Sequence, residues 1–343
     1  MIKEHLSDTV SAAQKADVTA LSRFLLSNPS QPLLATGSGG ADSVADLAAL
    51  LYGARGGVSY GVSPYTLNSF SDAALKTSKL LLVSAGGHNA DIKFVAKRAL
   101  AVNPEGAGMF ALHTGERNEV RKRFLKAGTG HDLDVPLRLA KDEFVSCITP
   151  LAYFTLLTRV FQPSVDLEPY KRVPEQPFTL CHNDGSPLPE TELASVRNFV
   201  ILHGSWGRPV AWNLEGKLVE SGYAPAGVSD YRNFCHGRFI FISKHLEGTA
   251  IVMLVSPRER DIVERTRKFL PASTRLVLIE SEADAPETCL DQLIRATAFF
   301  EALSAAAGVN PYVPSNPGRI DKRVPMNVPF TAELERRGPL TLP

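Results

Sequence analysis

The chain is short of several things, and each shortage closes off a class of reading. It carries only four cysteines in 343 residues, Cys147, Cys181, Cys235 and Cys289. No pair has the CxxC or zinc-ligand spacing, so neither a disulfide scaffold nor a zinc module is indicated, and reduced thiols in the cytosol are expected. There is no uncharged apolar run long enough to cross a bilayer. The first residues, MIKEHLSDTVSAAQKADV, are charged and helical in pattern and lack the apolar segment of a signal peptide. Excess charge is also missing: 37 basic against 36 acidic residues leave a formal net charge of +1. The basic residues form no tract, so no nucleic acid or acidic membrane is expected as a partner. Any anionic ligand has to be held by a local site. The eight histidines are scattered and form no HExxH, so no metal site and no cofactor is expected.

What the chain does contain is a rhythm. Residues 32–36 (PLLAT) read as a buried strand, followed by the turn GSGG and the helical pattern ADSVADLAALLY. Residues 79–84 (KLLLVS) repeat the plan with the turn AGGHN and the helix DIKFVAKRAL, and residues 108–112 form a third strand. Strand, glycine turn and helix in alternation predict an α/β fold, a parallel sheet covered by helices on both faces. A proline-rich polar stretch follows Phe161, and then the rhythm resumes. FVILHGSWG reads as strand and turn, and RPVAWNLEGKLVESG as helix. RFIFIS, AIVMLVS and RLVLIE read as strands, and DQLIRATAFFEALSAAAG as the last helix. The expected organisation is a first domain over 1–162, a linker over 163–190, a second domain over 191–324 and a proline-containing tail over 325–343.

Two loops of the first half have the make-up of anion seats. One is Gly37, Ser38 and Gly39; the other runs from Ser84 through Gly86 and Gly87 to Asn89. Each stands between a strand and a helix, where free N–H groups attract an anion and glycine lets the backbone approach it. The ordinary alternative is a tight βα turn that needs glycine for its geometry alone. Asp42 stands where a dinucleotide fingerprint needs glycine or alanine, and neither loop ends in the Lys-Ser/Thr of a P-loop, so a nucleotide cofactor is not expected.

Taken together, these elements resemble the SIS (sugar isomerase) domain in tandem, from about Leu33 to Arg323. That family includes the isomerase half of glucosamine-6-phosphate synthase and the phosphoglucose/phosphomannose isomerases. The family's phosphate loop, Ser-x-Ser-Gly-x-Thr, is matched in part: Ser84 and Gly87 agree, while Gly86 and Asn89 replace hydroxyl residues. Lys217-Leu218-Val219-Glu220 resembles the family's Lys-Leu-Lys-Glu, and His236 stands sixteen residues beyond Glu220 in Cys-His-Gly. Pro317 to Lys322 resembles the tail segment whose lysine reaches the site.

The resemblance implies a phosphosugar isomerase or a related deaminase or deglycase, acting on a sugar phosphate or amino-sugar phosphate through an enediol(ate). Glu220 would be the base and His236 the group moving protons at the ring oxygen; Lys217 would pair with Glu220 or stabilise negative charge on the substrate, and Lys322 would reach into the site from the tail. Ser146 and Thr149 would touch the sugar. It also implies a homodimer in which His236 completes the neighbour's site. The alternative is a regulator that binds a sugar phosphate without turning it over. Outside the resemblance, Glu220 and Lys217 are an ordinary helix-surface pair, His236 is a loop-end histidine, Lys322 belongs to a solvated basic cluster, and Ser146 and Thr149 are helix caps.

Overall fold

The computed structural model describes residues 1–112, 118–128, 130–140, 142 and 145–310. Lys322 and the tail segment around it lie outside the described residues. The chain divides into two compact units, one built on residues 12–139 and 153–163, the other on 1–11, 140–152 and 164–310.

The elements of the first stretch are α1 (Ile2–Lys15), α2 (Thr19–Leu26), β1 (Leu33–Gly37), α3 (Gly40–Ala54), β2 (Ser59–Val62), α4 (Pro64–Asn68) and α5 (Asp72–Thr77). They continue with β3 (Lys79–Val83), α6 (Ala90–Val102), β4 (Ala107–Phe110), α7 (Glu119–Ala127), β5 (His131–Asp132) and α8 (Ile148–Phe161). Their strands form sheet A in the order β2-β1-β3-β4-β5, with every neighbouring pair parallel. The central strands are apolar along their whole length because both faces are covered. Leu34, Leu80, Leu82 and Met109 share a face with Ile92, Val95 and Ala96 of α6 and with Val120 and Phe124 of α7. On β4, Phe110 points the other way, as the period of two demands. Its ring meets Tyr153 edge-on at 4.7 Å, and the Tyr153 hydroxyl donates to the Phe110 carbonyl.

The second stretch supplies β6 (Thr179–His182), α9 (Glu190–Leu193), β7 (Asn198–His203), α10 (Arg208–Glu220), β8 (Ala226–Asp230), α11 (Tyr231–Asn233) and α12 (Phe239–His245). Then come β9 (Thr249–Val255), α13 (Arg260–Arg267), β10 (Arg275–Glu280) and α14 (Glu287–Ala306). Sheet B runs β6-β10-β9-β7-β8. Four of its strands are parallel, and β6 joins β10 as an antiparallel edge. That edge lies inside the proline-rich stretch and pairs through Leu180 and Cys181.

One expected element is corrected. Residues 238–243 (RFIFIS), read as a strand, belong to a helical turn and α12. Ile242 faces the core, while Phe239, Ile240 and Phe241 are exposed. Such a run of apolar residues has no period, so the pattern alone cannot separate strand from helix. The strand of this region is β8, AGVSD, whose small and polar residues give no strand signal but whose backbone pairs along β7 from Phe199 to His203.

Candidate functional site

β1 and β3 are neighbours in sheet A and run the same way, so the turns that follow them leave the same edge side by side. This is the edge at which open α/β sheets take ligands. After β1, the chain turns at Gly37 so tightly that a Cβ there would fall 2.2 Å from the Ala41 carbonyl oxygen. Gly39 has φ +58, which L side chains rarely adopt. The turn is closed by Ala41 N–H donating to the Ser38 carbonyl and by Asp42 N–H donating to that of Gly39. The N–H groups of Ser38, Gly39 and Gly40 find no acceptor among the described residues.

The turn after β3 has the same character. Ser84 is buried; its N–H donates to the Phe110 carbonyl, and its hydroxyl oxygen accepts from Gly87 N–H at 3.2 Å. Gly87 has φ +63. Asn89 is committed in part: its Oδ1 accepts from the N–H groups of Asp91 and Ile92 and caps α6. The N–H groups of Ala85, Gly86, His88 and Asn89 have no acceptor among the described residues. Orphan N–H groups at helix starts carry partial positive charge, which favours an anion beside them.

Two further residues of this edge carry no signal in the loop patterns. Thr36, one residue before the end of β1, is 0% exposed, and its Oγ1 has no partner among the described residues. Asn118, beyond β4, is buried with an unpartnered Nδ2 among the described residues. Thr36 stands out only as a hydroxyl in an otherwise apolar strand; no local pattern marks Asn118.

Ser146 and Thr149 stand at the start of α8, where the anion position is already filled. Asp142 accepts through Oδ1 from Cys147 and Ile148 N–H, and through Oδ2 from Thr149 N–H and the Ser146 hydroxyl. Burial pushes the Asp142 pKa up, but the hydroxyls of Ser146 and Thr149 and the N–H groups of Ile148 and Cys147 outweigh it and hold it below the usual carboxylate value. Both residues therefore serve a cap in this structure.

The acid–base candidates lie in the unit that holds sheet B. Lys217 is no surface residue: it is 4% exposed, on α10, and its Nζ donates to Asn213 Oδ1 one turn earlier. Glu220 ends the same helix and is exposed. Partial burial of its carboxyl raises its pKa, and the charge of Lys217 offsets part of that rise. Glu215 is raised as well, first by burial and then by the charge of Glu220. His236 is exposed on a distorted turn between α11 and α12, with φ −87 and ψ 34, followed by Gly237 at φ +111. Its ring has no partner among the described residues.

At the matching edge of sheet B, one turn is filled by the chain's own carboxylate. In the turn after β9, Glu259 accepts from the Ser256 N–H and hydroxyl, a capping box. A Cβ on Gly204, in the turn after β7, would fall 1.9 Å from Glu259 Oε1.

A cleft of about 720 Å³ opens at the opposite, N-terminal edge of sheet A, where Lys79, Gly106 and His131 begin or precede their strands. Two of its charged groups have structural work. The Lys79 amine is bound to Ser27 at the carbonyl end of α2, and Asp132 is paired with Arg121 at 2.9 Å. Among the described residues no group of three or more His, Cys, Asp or Glu is placed to hold a metal, and no helix is long and apolar enough to cross a membrane.

No protein-family model matches this chain, and no curated protein sequence matches it. Solved structures do. A glucosamine-6-phosphate deaminase from Thermotoga maritima superposes with a TM-score of 0.63 at 13% identity, covering 91% of this chain and 97% of its own. The tagatose-6-phosphate ketose/aldose isomerase of Escherichia coli gives 0.63 at 16% identity, covering 91% of each chain. The C-terminal domain of a glucosamine-fructose-6-phosphate aminotransferase from Francisella tularensis gives 0.61 at 12%, covering 91% of this chain and 95% of its own. This chain has their α/β fold. At such identities the likeness concerns the fold, and the chemistry has to be argued from the residues.

Proposed function

We propose that the chain binds a sugar phosphate or amino-sugar phosphate, and that it isomerises it through an enediol(ate) or, by the same proton transfer through the corresponding enolamine, lets water replace its amine, which leaves as ammonia. The observation that carries the reading is the pair of adjacent glycine turns after β1 and β3, whose N–H groups lack acceptors among the described residues. A phosphate offers several oxygens to several donors at once, which suits these seven N–H groups and the hydroxyls of Ser38 and Ser84. The solved structures that share this fold include enzymes whose names specify sugar phosphates.

The chemistry is assigned to Glu220 and His236. Isomerisation removes a proton from one carbon beside the carbonyl and returns it to the neighbouring carbon, with no net oxidation. Glu220 has the carboxylate for that transfer, and a raised pKa makes it a better base at neutral pH than an ordinary glutamate. His236 moves the proton at the ring or carbonyl oxygen. Lys217, held by Asn213, acts on Glu220 through its charge and positions rather than reacts. Lys322 keeps its place in the proposal as a cation supplied by the tail.

The exposed Phe239, Ile240 and Phe241, a few residues after His236, support a homodimer that covers them. Gel filtration with light scattering tests it; a monomer at micromolar concentration overturns it. A second reading, a regulator without turnover, is favoured by one observation: Gly86 offers no hydroxyl, and Asn89 spends its oxygen on a cap.

The deciding experiment is a thermal-shift screen against sugar phosphates, amino-sugar phosphates and free sugars. The best stabiliser is then followed by NMR in D₂O. Stabilisation by a phosphorylated sugar with exchange at its C1 or C2 proton is expected. Stabilisation without exchange or product supports the regulator, and no stabilisation by any phosphorylated compound overturns the site.

A further inference from the structure

Asn118 caps α7, yet only half of its amide is used. Its Oδ1 accepts from Arg121 N–H at 2.9 Å. That bond identifies which end of the amide is oxygen. The other end, Nδ2, is buried with no partner among the described residues, in a side chain 3% exposed. A cap alone does not account for asparagine here. Serine or aspartate caps as well and leaves no buried donor unmet, and a buried donor without an acceptor is destabilising.

The neighbour of that amide is the turn after β3. A Cβ on Gly87 would fall 1.8 Å from Asn118 Oδ1 and 2.9 Å from Nδ2. Gly87 is glycine for two reasons, then: its positive φ and the amide lying against it. β4 is the strand next to β3, so the segment carrying Asn118 leaves the sheet at the edge where the free N–H groups stand. Thr36 Oγ1, fully buried and equally unpartnered among the described residues, lies one residue before the end of β1 at the same edge. The unmet groups of this edge are mostly donors, and they call for a group rich in acceptor oxygens.

We propose that Asn118 is a ligand-contacting residue whose Nδ2 donates to an oxygen of the anionic group seated in the Ser84–Asn89 turn. The assignment rests on the sugar-phosphate reading above. A small movement of the Gly86–Gly87 turn brings the ligand oxygen to the amide, while Oδ1 stays on α7. Ligand and α7 are thereby tied to the two ends of one side chain, and the start of α7 tightens when the anion binds.

Two variants separate this role from capping. Asn118→Asp keeps the size and the cap oxygen but replaces the donor with a charged oxygen facing the anion. Asn118→Ser keeps a cap and removes the donor without adding charge. Calorimetric titration uses inorganic phosphate and the best-binding sugar phosphate of the panel. The expected losses of affinity are on the order of 100-fold for Asn118→Asp, since a charge-assisted bond becomes a repulsion, and about 10-fold for Asn118→Ser. The unliganded melting temperature of Asn118→Asp should stay near that of the wild type, because the cap remains.

If the wild type binds and Asn118→Asp binds equally well, the donor role is wrong while the anion seat stands. If the wild type binds no phosphorylated probe, the seat itself is wrong and the donor role falls with it. Should Asn118→Asp fail to fold, the wild type labelled with ¹⁵N-asparagine decides. The Asn118 side-chain amide signal, assigned by its loss in Asn118→Ser, is expected to shift when phosphate is added. An unmoved signal at saturating phosphate overturns the proposal.

Discussion

Sheets A and B present similar strand ends, but in sheet B one of the turns is filled by the chain's own carboxylate. At the edge of sheet A, the turns after β1 and β3 leave N–H groups of Ser38, Gly39, Gly40, Ala85, Gly86, His88 and Asn89 without acceptors among the described residues. At the edge of sheet B, the turn after β9 is occupied by its own Glu259 carboxylate, bound to Ser256 and pressed against Gly204. A carboxylate is the chain's own anion. Where it fills the turn after β9, it takes up the Ser256 N–H and hydroxyl, while in the neighbouring turn after β7 the N–H groups of Gly204, Ser205, Trp206 and Gly207 have no acceptor among the described residues. Glycine appears in both places for different reasons. Gly87 has positive φ beside an open turn, while Gly204 makes room for an internal side chain.

The contrast can be broken by substitutions, and the largest effect belongs to catalysis. Glu220→Gln is expected to lower turnover by roughly 10²–10⁴, the range for a lost general base, with ligand affinity preserved. Steady-state rates and D₂O exchange measure it, and an unchanged rate removes Glu220 from the mechanism. The same residue sets a pH dependence. Its pKa is raised above the ordinary glutamate value, so kcat/KM is expected to fall on acidification at a pH above that value, as the base takes up its proton. A profile flat down to the ordinary carboxylate range contradicts the assignment.

Gly87→Ala comes next. Its new Cβ collides with Asn118 and adopts a strained φ, so phosphate affinity is expected to drop at least about tenfold, with stability lowered by about 1–3 kcal/mol. Gly204→Ala is the matched control in sheet B. It displaces Glu259 from its cap, with an expected cost of about 0.5–2 kcal/mol and no change in ligand affinity. Chemical denaturation and calorimetry on both variants compare the two edges directly. Equal effects of the two substitutions on binding would erase the distinction between them.

The smallest pH effect concerns Asp142. Its folded pKa lies below the unfolded value, so its contribution to stability is present above the unfolded pKa and is lost as pH falls through the folded one. Asp142→Asn is expected to destabilise the protein by about 1–3 kcal/mol at neutral pH and by progressively less in acid, as read from urea unfolding at several pH values.

The strands and helices that bury apolar residues were legible in the amino-acid pattern. KLLLV and AIVMLV, read as buried strands between turn signals, are strands in sheets covered on both faces, and the glycine turns after β1 and β3 mark their own ends. The strands that pair without apolar content were not legible. β8 (AGVSD) exists because β7 offers a free edge, and RFIFIS became a helix although its composition suits a strand. Among the site residues, Ser84 and the glycines could be read from a loop pattern. That Lys217 is buried against Asn213, or that Ser146 and Thr149 bind Asp142, could not.

The sequence by itself determined the α/β rhythm, the two anion-type loops and the list of residues able to move a proton. These are local matters of period, dihedral freedom and side-chain chemistry. Only the tertiary structure decided which loops stay open, because that depends on whether another carboxylate or amide arrives from a distant part of the chain. Glu259 reaches Gly204 across more than fifty residues of sequence, and Asn118 reaches Gly87 across about thirty. Buried polar groups are satisfied or left unmet by such long-range meetings, which no spacing along the chain records.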